Sequence, residues 1–147
     1  MIVTICLAIN LVLYIFYKST DRRMKQSVLT HGWAILVHEF LHYIPAFLLG
    51  LSPKLTWGSV DLENGVQGIA AVTIGGVYGD RWNFDKDWIV SCSTYLLPAA
   101  TVCVMPFVDY FSALYLGWVT VRCYLASHYD EKMHFERIFN AQLHGWK

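Results

Sequence analysis

The chain has 147 residues, enough for one domain, and its 11 basic side chains balance its 11 acidic ones, which removes any general attraction to nucleic acid. Hydrophobic residues make up 56%, only 15% are charged, and mean hydropathy is +0.40, whereas an ordinary soluble domain carries about a quarter charged residues. The expectation is a single domain over 1–147 that is an integral, multi-pass membrane protein with the lipid bilayer as its partner.

Residues 1–17, MIVTICLAINLVLYIFY, carry no charge and are just long enough for a membrane helix, which takes about 17–25 residues. The basic residues Lys18, Arg22, Arg23 and Lys25 follow this run instead of preceding it. That order predicts a retained N-terminal anchor helix, with the 18–26 loop on the cytoplasmic side, rather than a cleaved leader. A second apolar segment covers 31–50, kinked by Pro45 and stopped by Gly50 and Pro53. The following stretch, KLTWGSVDLENGVQGIAAVTIGGV, is rich in β-branched residues and glycine, and its Asn64-Gly65 pair suits a tight hairpin turn. Strands are expected at 54–61 and 66–74. A third apolar segment runs 88–108, with prolines at 98 and 106, and a fourth runs 110–126. From Ser127 the chain turns polar with Met133, Phe135, Ile138 and Phe139 interleaved, the pattern of an amphipathic tail (127–147) on a membrane surface. The fold class expected is therefore an all-α membrane protein of about four transmembrane helices, with a small β-hairpin after the second. Cys6, Cys92, Cys103 and Cys123 form no C-x-x-C pair and read as small buried hydrophobes.

The chemistry is concentrated in residues 37–43, VHEFLHY, within the second segment. His38 and His42 are four residues apart and project from one face of a helix, so both imidazoles can hold one metal ion. Glu39 is offset by about 100° of rotation, close enough to take a proton from a water that the ion activates. Ionisable groups within a bilayer cost about 2.5–3.5 kcal/mol each on insertion scales, and a cation would offset that cost. The bland alternative is a polar cluster, the same three side chains hydrogen-bonded across a helix bundle.

An H-E-x-x-H motif in an apolar helix, then a glycine-bearing hairpin and two further apolar helices, resembles the membrane-embedded zinc metallopeptidases of the site-2 protease type. The resemblance covers roughly 30–135, and VHEFLHY is its one specific motif. It implies a Zn2+ cofactor, His38 and His42 as metal ligands, Glu39 as the catalytic base, and hydrolysis of peptide bonds in a membrane-associated substrate. A third ligand is needed. In the family it is an aspartate on a later helix, inside an asparagine-proline motif that is missing here. Asp130, in ASHYDEKM, resembles the aspartate that closes the later helix in a compact branch of membrane zincins and is preferred. Asp109, in MPFVDYF, is the alternative, and His128 a weaker third option. Each aspartate has a plainer reading: Ser127 and Asp130 form a capping-box pattern for a tail helix, and Asp109 suits a turn.

Four further residues and one strand remain to be placed. His31 is expected at the interface and His134 and His144 in the polar tail, none of them as ligands. Arg122 could snorkel to the surface, or pair with Glu39 or an aspartate. Strand 66–74 could hold an extended substrate along its edge or simply cap the bundle. The rival functions are a metal-binding membrane module without catalysis and a transport protein relaying protons or metal ions.

Overall fold

A computed structural model of the chain describes residues 1–61, 67–74 and 81–143, the side chains of 81–85 and 141 excepted. Helix α1 spans Ile2–Phe16 and packs along α2, Arg22–Leu48. The N-terminus of α2 is capped by Asp21, whose carboxylate accepts from the backbone N–H groups of Arg23 at 2.7 Å and Met24 at 3.3 Å. The helix is bent at His31, where φ −147° and ψ 28° leave the helical region.

A bend of this kind strands backbone groups, and two neighbouring helices take them up. The Trp33 N–H donates to Asn10 Oδ1 of α1 at 2.8 Å, and the Thr30 carbonyl accepts from Tyr115 Oη at 2.9 Å. Asn10 is fully buried in an otherwise apolar helix for this purpose. Gly32 permits the approach, because a Cβ there would stand 3.2 Å from Val28 Cγ1 and 3.4 Å from Leu13 Cδ1. Beyond the bend α2 continues through Pro45 and stops at Gly50, whose φ of +73° suits glycine at a helix end.

Strands β1 (Pro53–Asp61) and β2 (Gln67–Ile74) pair antiparallel in register from Pro53 opposite Ile74 to Trp57 opposite Ala70. The pairing shifts between Trp57 and Val60, where Gly58 holds φ +136°. The hairpin thus follows the second helix as expected, while the Asn64-Gly65 turn lies outside the described residues.

The third apolar segment is two helices, α3 (Arg81–Ser93) and α4 (Leu96–Val104), then a 3-10 turn, Met105–Phe107. The proline ring at 98 would collide with the carbonyl four residues back, at Thr94, and the helix breaks there. The final helix, α5, runs without interruption over Tyr110–Leu143, so the expected fourth segment and the polar tail are one rod. Ser127 and Asp130 lie in its interior, not at a helix start. Its first turn is capped by Asp109. Among the described residues three apolar clusters hold the assembly, one of them formed by Ala34, Leu97, Val119 and Cys123.

The expectation of about four transmembrane helices, and of several passes, is not met. Among the described residues one stretch, Lys86–Phe107, is long and apolar enough to cross a membrane. The 15 residues of α1 are apolar but reach only about 22 Å, short of a hydrocarbon core of about 30 Å. In α2 the apolar run is diluted by His31, His38, Glu39 and His42, and in α5 by Arg122 and the polar half that follows. The cysteines also divide: Cys123 is buried, Cys6 and Cys92 are half-buried, and Cys103 is exposed.

Candidate metal centre

In the second half of α2, the helical repeat turns His38 and His42 towards α5. Both Nε2 atoms converge on one oxygen, Asp130 Oδ2, at 2.8 Å from His38 and 3.1 Å from His42. The three donor atoms lie within 4.8 Å of one another, close enough to hold a metal ion. Asp109 is elsewhere. Its exposed carboxylate accepts from Ser112 N–H at 3.0 Å and Ser112 Oγ at 2.6 Å, and lies 3.4 Å from the chain's amino terminus. The Ser112 hydrogen bonds hold the Asp109 carboxyl at about 2. His128 is exposed and sits 3.7 Å from Glu131.

His42 is oriented from behind. Its Nδ1 lies 2.9 Å from the Val90 carbonyl, which fixes that nitrogen as an N–H donor and aims Nε2 at the cluster. The Ser93 hydroxyl lies within hydrogen-bond distance of both the Leu41 and Val90 carbonyls and ties α3 to α2 at the same level. His38 has no such support: its Nδ1 is buried without a hydrogen-bond partner among the described residues.

Glu39 is 9% exposed and lines the same cavity as the three donors. Burial pushes its carboxyl above the ordinary range, while the two histidines and the Val72 backbone pull the other way. Burial would also raise Asp130, but the hydrogen bonds from His38 and His42 outweigh it and hold the carboxyl at about 2. Asp130 is thus held in its anionic form, half-buried, which is the form that a cation can use.

The cavity has a volume of about 690 Å³. Its walls are α2, the face of α5 that carries Arg122, Asp130 and Arg137, and residues 69–74 along β2. Arg122 is exposed at this wall with its guanidinium 5.9 Å from the Trp118 ring centroid, and no carboxylate pairs with it among the described residues. Of its two open readings, pairing with Glu39 or an aspartate is thus not found, and the side chain lies exposed. His31 lines the far end, 5.1 Å from Trp118 between ring centroids, and burial together with Arg122 lowers it to about 4.

The reading of the sequence missed a second buried cluster. His134, expected in a polar tail, is 1% exposed, with Nδ1 2.7 Å from Asp87 Oδ2. Arg137 Nη1 lies 2.9 Å and 2.8 Å from the two Asp87 oxygens. The spacing of Asp130, His134 and Arg137 along α5 already placed them on one helix face, a signal available in the sequence. Asp87, 47 residues from His134, carried none. His144 lies outside the described residues.

No family model matches the chain, and neither a curated protein nor a solved structure is similar to it.

Proposed function

We propose that the chain is a membrane-held, zinc-dependent peptidase, with His38, His42 and Asp130 holding the ion and Glu39 acting as general base. The observation that carries this reading is the convergence of two Nε2 atoms and one carboxylate oxygen beside a second carboxylate, the buried Glu39, in a cavity with a strand along one wall. Zinc–ligand lengths of about 2.0–2.1 Å place tetrahedral ligands about 3.3 Å apart. The 2.8 Å and 3.1 Å separations seen here need only a few tenths of an ångström to open to that spacing. Two imidazoles and one carboxylate also make up a common donor set for catalytic zinc, with the fourth position left for water.

Zinc, when bound, would supply an activated water and polarise the scissile carbonyl. The chain's own residues do the rest. Glu39 takes the proton of the attacking water and delivers it to the leaving amine, a task suited to a carboxyl whose burial favours its protonated form. The edge of β2 offers main-chain groups against which an extended substrate can be laid, so a peptide bond can be presented to Glu39. The stretch Lys86–Phe107, with the exposed apolar side chains of Phe40, Ile44, Phe47, Trp118 and Val121, supports a place in or on a lipid bilayer and hence a membrane-associated peptide or protein as substrate.

Zinc per chain in the detergent-purified protein, beside cleavage of a peptide mixture, tests the reading. About one zinc is expected in the wild type, lost in His42→Ala and Asp130→Ala and kept in Asp109→Ala. Glu39→Gln should keep the zinc and lose cleavage. A folded wild type that holds no metal would return the motif to a polar helix–helix cluster. Metal without cleavage, in wild type and Glu39→Gln alike, would leave a binding module.

A further inference from the structure

His42 and Asp130 sit on different helices, and a third helix touches the support of each. On α3, the Val90 carbonyl receives His42 Nδ1 at 2.9 Å. One turn earlier on α3, Asp87 receives His134 Nδ1 at 2.7 Å and Arg137 Nη1 at 2.8 Å. His134 follows Asp130 by four residues, one turn further along α5. Val90 and Asp87 are separated by about 4.5 Å of helix rise, so both anchors belong to one rigid turn.

The composition of the Asp87 cluster argues for a positioning task. The Asp87 and His134 side chains are 6% and 2% exposed. Burying such groups costs more desolvation than an apolar contact of the same size, so as a source of stability alone it is a poor choice. What it adds is a fixed distance and orientation between two helices. An apolar seam would allow α5 to slide or rotate. A carboxylate gripped by an imidazole and a guanidinium does not. The same site needs such help, since no local sequence constraint relates Asp130 to His42, 88 residues away.

We infer that α3 is the gauge of the metal centre: Asp87, through His134 and Arg137, is a positioning residue that sets Asp130 against His42. The inference rests on the metal-site reading above. Asp87 and Arg137 line the same cavity, but the Asp87 carboxylate is bonded to His134 and Arg137 rather than to the donor atoms, and it acts through α5. Arg137 uses a single nitrogen on the carboxylate, so a lysine can replace its charge, whereas an uncharged side chain cannot.

The test is metal affinity and ligand-field spectrum in the full chain in detergent. Zinc affinity is measured by chelator competition, and the visible absorption of the Co2+-substituted protein reports ligand geometry. Asp87→Asn and Arg137→Met are expected to weaken zinc by about 10–100-fold, the range for residues that orient ligands, and to alter the cobalt bands. Arg137→Lys should restore both. Val28→Ala, which opens space in a fully buried apolar contact away from the site, should lower the melting temperature while leaving affinity and spectrum unchanged. Unchanged zinc and cobalt behaviour in Arg137→Met overturns the gauge, as does an equal loss in Val28→Ala, which would reduce it to general stability. Should Asp87→Asn not fold, the Arg137 pair decides. A wild type that takes up neither zinc nor cobalt overturns the metal reading itself and the gauge with it.

Discussion

Asp130 and Asp87 are both carboxylates drawn out of water between helices, and each meets two nitrogen-bearing side chains. Their charge balance differs. Asp87 faces His134 and the permanent cation of Arg137. Asp130 faces two histidines, and a second buried carboxylate, Glu39, lies close enough for their charges to repel. No lysine or arginine pairs with either Asp130 or Glu39 among the described residues. One cluster holds a permanent cation; the other has none among the described residues and offers its carboxylates and imidazoles to a divalent cation. The distinction is also one of donors: His38, His42 and Asp130 bring three ligand atoms within 4.8 Å, whereas the Asp87 cluster presents a guanidinium with no lone pair to offer.

The comparison can be broken most directly through metal. Asp130→Ala should weaken zinc by more than the roughly 100-fold upper range for orienting residues, because it removes a ligand. Zinc retained in that variant, by elemental analysis after dialysis, would place the ion elsewhere. Next comes stability without metal. Asp87→Ala leaves Arg137 and His134 without their carboxylate and should cost about 3–5 kcal/mol in denaturant unfolding. Asp130→Asn, which relieves repulsion with Glu39, should stay within about 1 kcal/mol. Equal losses in the two variants would erase the electrostatic difference.

A smaller effect belongs to a buried polar group with no charge at all. Asn10→Leu strands the Trp33 N–H at the bend of α2 and should cost about 1–3 kcal/mol, read from thermal melts. The smallest is expected at the exposed carboxylate, Asp109. Folding lowers its pKa from 3.8 to about 2, so its contribution is in place above about pH 4 and fades as pH falls through about 2. The melting temperature of Asp109→Asn should therefore lie slightly below wild type at neutral pH and merge with it in strong acid.

The site was legible where its chemistry is local. Four residues of helix bring His38 and His42 to one face, and the motif between them names Glu39. Asp130 and Asp109 could not be separated by sequence, because each closes an end of an apolar segment and the choice depends on how α5 crosses α2. The continuity of α5 sets their places apart: Asp109 caps the helix, and Asp130 is an interior residue facing the histidines. The hairpin was legible from its β-branched pattern. The bend at His31 was not, since its stabilising partners, Asn10 and Tyr115, come from other helices. The number of membrane-crossing helices was overread for a related reason. Apolar composition over a segment does not distinguish a helix covered by lipid from one that turns a polar face inward towards a site, as α2 does.

The unbroken length of α5 has one more consequence. Its 34 residues extend about 50 Å, and along that single rod lie Tyr115 at the bend of α2, Asp130 at the histidines, and His134 and Arg137 against α3. With no joint between these stations, none can be adjusted alone. A one-residue insertion between Tyr115 and Asp130 would turn every later contact by about 100° relative to every earlier one. The spacing of these residues is therefore a mechanical register, and substitutions along the rod should be tolerated far more readily than any change in its length.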